Sequence, residues 1–311
     1  MIELQQVTKK YGNLTALRNI SFHVQKGETV GLLGRNGAGK TTLLNLLTGY
    51  FPPTAGKVII GGADIAEQPA VCKRKIGYLP EKPPLYDEMT TESYLRFVCE
   101  LREVRKQGIR DHVDEIIGLC GLTEVRSRVL GHLSKGTRQR AGIAQALCGA
   151  PELLILDEPT IGLDPKQTAE IRDLIQALSR EHTVLFSSHI LSEVQQSCTR
   201  VIILEEGELV MDYDARKPES GEVRLQLSVA GKADTVLKQL RGLPGVTDAA
   251  PLPARETGVT EAVITLKPDC GREAALDRAF RALADSGLAV RGMREEKESL
   301  EEVFMRVVRS K

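Results

Sequence analysis

The sequence predicts an α/β fold with a mostly helical insert and a small α+β domain behind it, on three observations. An apolar run, TVGLLG, ends in glycine and feeds a glycine loop that continues as a helix. Further apolar runs, LLIL and TVLFSS, are separated by stretches of helical period, which favours a parallel sheet covered on both faces. Beyond residue 221 the pattern of strands and helices starts afresh, and 311 residues are more than one small core needs.

Taken in order, Ile2 and Leu4, then Ile20, Phe22 and Val24, alternate as half-buried strands joined by a turn at Tyr11, Gly12 and Asn13. TVGLLG is the first buried strand, and the helix after it starts near Lys40 and stops at Gly49. KVIIGG is a strand behind the turn at Pro52 and Pro53. From Met89 to about Ala150 the period is helical: Tyr94, Leu95, Val98 and Leu101 share one face, and Val113, Ile116, Ile117 and Cys120 another. LLIL, TVLFSS and VIILEEGELV return to strand, the last folding back as a hairpin. The first domain is expected over 1–215, with its helical subdomain at about 85–150, a polar linker over 216–221 and a second domain over 222–311. In that second part strands at VRLQLSV, GVTDAAP, TEAVITL and LAVRGM alternate with helices at about Lys232–Leu240 and Arg272–Ser286. This β-α-β-β-α-β order is the ferredoxin-like plan. A final helix is expected from SLEE, a capping box with Leu300, Val303, Phe304, Val307 and Val308 as its apolar stripe. No clustered His, Cys or carboxylate marks chemistry in that domain.

Composition excludes several classes. Lys plus Arg equals Asp plus Glu, 42 each, which argues against a chain whose main work is gripping nucleic acid. The six cysteines form no C-x-x-C pair, so zinc-finger and redox spacings are absent and the thiols are expected to be reduced. No signal-peptide pattern opens the chain, and no apolar run approaches the ~18 residues of a membrane span.

Gly34, Arg35, Asn36, Gly37, Ala38, Gly39, Lys40 and Thr41 match G-x-x-x-x-G-K-S/T, with Thr42 continuing the helix. Glycine-rich backbone can turn its amides inward around a phosphate, and the helix start adds a positive end. Lys40 is expected on the β- and γ-phosphates and the Thr41 hydroxyl on magnesium. LLILDEP puts Asp157 and Glu158 at the carboxyl end of a buried strand, where parallel sheets bind ligands. Asp157 suits a magnesium ligand and Glu158 a general base for the attacking water. His189, closing FSSH, suits a contact to the γ-phosphate or that water, although a strand-end histidine alone is more often structural. LSKGTRQR holds three cations in eight residues, a pattern of an anion site or of a solvated helix start.

The ordered set GRNGAGKTT, LSKGTRQR, LLILDEP, IGLDP and SSH resembles the ATP-binding subunit of an ABC transporter over about residues 2 to 215. The resemblance implies a RecA-like P-loop NTPase core with an α-helical subdomain. It assigns Walker A, signature, Walker B, a D-loop of Leu163, Asp164 and Pro165, and a switch histidine at His189. Tyr11 takes the place of the aromatic residue that stacks on adenine. Two subunits would pair head to tail, the signature Ser134, Lys135, Gly136 and Thr137 and the D-loop Asp164 of one closing the ATP site of the other. By that likeness Ser134 and the amides near Gly136 donate to the γ-phosphate at the start of a helix over Thr137 to Leu147. Arg138 and Arg140 are read as facing solvent or pairing within the chain.

Two departures narrow the likeness. Lys135 and Thr137 stand at the third and fifth places of the familiar LSGGQ, and Glu81 stands where a glutamine is usual. Glu81 is expected to bind magnesium directly or through water. With YLPEKPPLY and SLEEVF, these variants resemble the ATPases paired with type-2 ABC exporter permeases, the gliding-motility-associated branch most of all. The resemblance implies ATP and Mg2+, a homodimer, a membrane permease partner, and a cytoplasmic place on the inner face of the membrane. The rival reading is a non-transport ABC ATPase in nucleic-acid or ribosome work. Such proteins bring coiled coils, zinc modules or tandem cassettes, none of which is legible here. A guanine-reading N-K-x-D motif is also absent.

Overall fold

In a computed structural model, the structure describes residues 1–198, 200–214, 223–253, 258–266 and 272–296. The expected linker and the SLEE helix lie outside these. The chain divides into two compact units, Met1–Tyr213 and Asp214–Lys311.

The first unit opens with β1 (Ile2–Tyr11) and β2 (Leu14–Val24), joined by a two-residue turn. Their alternation slips twice. Gln6 and Asn19 both adopt φ 50, and the register shifts around them let Val7 and Ile20 point inward after Leu4 and Leu17. Each shift is a bulge that keeps the apolar face on the core. β3 (Thr29–Leu33) leads into α1 (Lys40–Leu47); β4 (Ala55–Ile60), β5 (Ala63–Asp64), α2 (Pro69–Arg74) and β6 (Ile76–Leu79) follow. The helical insert contributes α3 (Thr91–Leu101), α4 (Ile109–Leu119) and α5 (Lys135–Leu147). Then come β7 (Leu153–Leu156), α6 (Pro165–Leu178), β8 (Thr183–Ser188), α7 (Leu191–Ser197), β9 (Arg200–Glu205) and β10 (Glu208–Asp214).

These strands form two sheets. β2-β1-β4-β5 is antiparallel, and the six-stranded sheet runs β10-β9-β3-β8-β7-β6 with its pairs from β6 to β9 parallel. All residues of β7 and β8 are buried, which is why LLIL and TVLFSS read as continuous runs. Leu43, Leu44, Leu46 and Leu47 of α1 join the core formed with β1 to β4. The Glu206–Gly207 turn, both residues at positive φ, closes the β9–β10 hairpin.

The second unit has β11 (Val223–Ala230), α8 (Ala233–Arg241), β12 (Val246–Leu252), β13 (Val259–Leu266), α9 (Arg272–Asp285) and β14 (Val290–Glu296). Its antiparallel sheet is ordered β12-β13-β11-β14, the ferredoxin-like arrangement. Leu225, Leu227 and Val229 pack with Val236 and Leu240 of α8 and Ala279 and Leu283 of α9. Glu261 is buried, and its carboxylate accepts from Ser228 Oγ at 2.6 Å and Gln226 Nε2 at 3.3 Å. Alternation alone does not reveal that network.

Candidate functional site

Three adjacent parallel strands, β3, β8 and β7, end at one edge of the large sheet and bring Gly34, Ser187 to His189, and Asp157 with Glu158 together. At β3 the chain turns through Gly37 and Gly39, with φ 84 and 101. A Cβ on Gly39 would lie 2.8 Å from Leu17 Cδ2 and 2.9 Å from the Ala16 carbonyl, so both conformation and space require glycine. No side chain caps α1 there, and its first amides are left for a ligand.

Beside that loop lies a cavity of about 620 Å³. It is lined by Arg35, Asn36, Gly37, Gly39, Lys40, Thr41 and Thr42 together with Tyr11, Leu14, Ala16, Glu81 and Glu158. Gly34 and Ala38 are buried beneath the loop and support it. Tyr11 meets Phe51 edge to face with centroids 5.6 Å apart, and Lys9 Nζ lies 4.4 Å above the Phe51 ring. Phe51 and Lys9 thus hold the aromatic platform, a role with no sequence signal because the contact spans forty positions.

The charged residues are tightly connected. Lys40 Nζ donates to the Gly34 carbonyl at 2.6 Å and pairs with Glu158 Oε1 at 3.2 Å, both side chains being buried. Glu158 Oε2 meets His189 Nδ1 at 2.8 Å. Ser187 Oγ donates to Asp157 Oδ1 at 2.6 Å and accepts from the Glu158 amide at 2.8 Å. Asp157 Oδ2 is buried without a hydrogen-bond partner. Burial pushes the Asp157 carboxyl above the usual range, against the pull of the Ser187 and Thr41 hydroxyls and with the charges of Glu158 and Glu81 adding to the rise. Sequence reasoning missed Ser187; its only signal was a hydroxyl within an apolar strand.

The signature residues stand apart from this cavity. Their helix begins at Lys135, two residues earlier than expected, because Ser134 is its N-cap. Ser134 Oγ accepts from the Thr137 amide at 3.3 Å and lies 2.8 Å from Thr137 Oγ1, so its hydroxyl is already engaged within the chain. Lys135 reaches over Gly162, the residue before the D-loop, and Gly136 faces Gln167. Asp164 caps α6, accepting from the Gln167 amide at 2.8 Å. Arg138 pairs with Asp87 at 2.6 Å and Arg140 with Glu170 at 3.5 Å.

Comparison with known proteins bears on the whole chain. A family profile described as ABC transporter matches residues 17–161. An uncharacterized ABC transporter ATP-binding protein, YxlF of Bacillus subtilis (strain 168), is 34% identical over 99% of this chain and 99% of its own. The bacitracin transport ATP-binding protein BcrA of Bacillus licheniformis is 33% identical over 99% and 97%. Among solved structures, the ATP-binding cassette MJ0796, dimeric in a post-hydrolysis state with ADP and Pi, covers 70% of this chain and all of its own. It superposes with a TM-score of 0.63 at 27% identity. Likeness to YxlF and BcrA spans entire chains, beyond a shared phosphate loop, and this chain belongs to the ATP-binding subunits of ABC transporters, which bind and hydrolyse ATP.

Proposed function

We propose that the chain powers an exporter of the type-2 ABC class, as a head-to-tail homodimer beneath an integral-membrane permease on the cytoplasmic face of the cell membrane. The observation that carries this reading is Glu158, held between Lys40 and His189 against the cavity beside the phosphate loop, a cavity that the signature residues do not line. Among the described residues no helix is long and apolar enough to cross a membrane. Likeness to a bacitracin transport protein over nearly the full chain supports a role in transport. LSKGTRQR and YLPEKPPLY support the type-2 class and its gliding-motility-associated branch. No observation favours a nucleic-acid partner.

In this reading adenine stacks on Tyr11, while Lys40 and the amides from Gly37 to Thr42 take the phosphates. The γ-phosphate takes Glu158's place on Lys40 and frees the carboxylate to face the attacking water. Glu158 removes the proton as the water oxygen bonds to phosphorus and the bond to the bridging oxygen of ADP breaks. His189 holds Glu158 in line and reaches the γ-phosphate. Ser134, Lys135, Gly136 and Thr137, with Asp164, close the site of the partner subunit and exclude water from it.

The orphaned, buried Asp157 Oδ2, with Thr41 and Glu81 beside it, fits Mg2+. Among the described residues no three His, Cys, Asp or Glu side chains are arranged to hold a metal, so Thr41, Asp157 and Glu81 would share it with phosphate oxygens. When bound, it supplies positive charge at the β- and γ-phosphates.

Glu158→Gln should lower turnover by on the order of a hundredfold or more while ATP still binds. With ATP and magnesium this variant should elute as a dimer in gel filtration. A monomer under those conditions would overturn the head-to-tail mechanism.

A further inference from the structure

Glu158 sits at φ 47, a left-handed conformation that is strained for a non-glycine residue. Such a conformation persists only where the surroundings over-determine it. Ser187 ties the two strand ends together through Asp157 and Glu158. A second tie lies just beyond it, at Ser188 and Thr160. One carboxylate oxygen, Glu193 Oε2, accepts from Thr160 Oγ1 at 2.7 Å and from Ser188 Oγ at 2.8 Å. Thr160 lies two residues after Glu158, and Ser188 immediately precedes His189. Glu193 therefore joins the loop carrying the general base to the loop carrying its histidine, without lining the nucleotide cavity.

Its own position is well supported. Glu193 stands in the first turn of α7, and the next residue, Val194, is fully buried. A Cβ on Gly31 of β3 would lie 2.2 Å from Val194 Cγ1, so only glycine lets α7 seat this closely on the strand that feeds the phosphate loop. The carboxylate thus stands on a helix fixed to the sheet, and hydrogen bonds to an ionised acceptor are the stronger kind.

We propose that Glu193 is a positioning residue for ATP hydrolysis, setting the spacing between the Glu158 and His189 loops. The inference rests on the assignment of those two residues as the hydrolytic pair. Removing the double acceptor lets the loops separate and takes Glu158 off the water, a displacement to which rates are steeply sensitive.

The test is steady-state ATPase of the full chain. Glu193→Ala should lower kcat about tenfold or more and leave KM for ATP within about twofold, because no nucleotide contact is lost. Glu193→Gln keeps an oxygen able to accept both hydroxyls and should restore at least about a third of wild-type kcat. In a His189→Ala background, adding Glu193→Ala should cost less than about twofold, since the loop pairing is already broken. An unchanged kcat in Glu193→Ala, or a full additive loss on top of His189→Ala, overturns the proposal. If Glu193→Ala does not fold by thermal melt, Thr160→Val with Ser188→Ala removes the same two bonds, and an unaltered kcat there overturns it equally. Glu158→Gln run alongside separates the two readings: retained turnover in that variant refutes the hydrolytic pair itself, whatever Glu193 does.

Discussion

The phosphate loop and the LSKGTRQR segment both lead into helices, yet they are finished in opposite ways. α1 starts at a left-handed glycine with no side-chain cap, beside a cavity, and its lysine is buried against Glu158. α5 starts at Ser134, whose hydroxyl spans its own first turn on an exposed surface. One helix start leaves its amides for a ligand, whereas the other is closed within its own chain until something displaces the cap. The difference fits the proposed half-built ATP site, in which this chain supplies a preorganised floor and, elsewhere, the lid proposed for the partner's site.

Substitutions that touch one half and spare the other sharpen that contrast. The largest effect belongs to the floor: Tyr11→Ala removes a stacking partner worth about 1–3 kcal/mol and should weaken ATP binding to the isolated chain by on the order of tenfold or more. Calorimetric titration with ATP checks it, and binding within twofold of wild type would remove adenine from Tyr11.

On the lid, Ser134→Ala should leave that affinity within about twofold while weakening ATP-driven dimerisation roughly fivefold, as expected for about 1 kcal/mol of net hydrogen bonding once the hydroxyl has given up its cap. Lost capping should also lower stability by ~1 kcal/mol. Sedimentation at several protein concentrations reads the first effect and a thermal melt the second. If Ser134→Ala weakened monomer binding as strongly as Tyr11→Ala, the division into floor and lid would fail.

The smallest effect concerns the helical insert that carries the lid. Arg126 hydrogen-bonds the Glu92 carboxylate and, with Arg96, holds its pKa down at about 2. The folded value lies below that of an unfolded glutamate, about 4.3. The stabilisation is therefore complete above pH 4.3 and is lost as pH falls from there toward 2. Protection of the α3 and α4 amides against hydrogen exchange, relative to the intrinsic rate at each pH, should fall as pH drops from about 4.3 toward 2, with α1 little affected. Glu92→Gln should flatten that dependence, and an equal pH response in the variant would place its origin elsewhere.

Much of this was legible in the residues. GRNGAGKTT between an apolar run and a leucine-rich helix specifies a phosphate loop, since few other backbones present amides that way. The buried strands announced themselves because a sheet covered on both faces needs unbroken apolar runs. The helix start at Lys135 was misplaced by two residues, since a serine reads as a cap only once its amide partner is known. Glu193 and Phe51 gave no signal: a glutamate on a helix and a phenylalanine before Pro-Pro are ordinary until their neighbours are in place.

By itself, then, the chain's order of residues determined local chemistry: which loop binds phosphate, which carboxylates stand at strand ends, which segments are helix or strand. Only the tertiary structure decided the partners: Lys40 on Glu158, Ser187 between Asp157 and Glu158, Thr160 and Ser188 on one glutamate oxygen. Hydrogen-bond and ion-pair geometry is set by strands that pair across more than a hundred positions of sequence, from β3 to β8. Periodicity within a segment carries no information about distances between segments, and those distances are what make a base, a histidine and a lysine into one site.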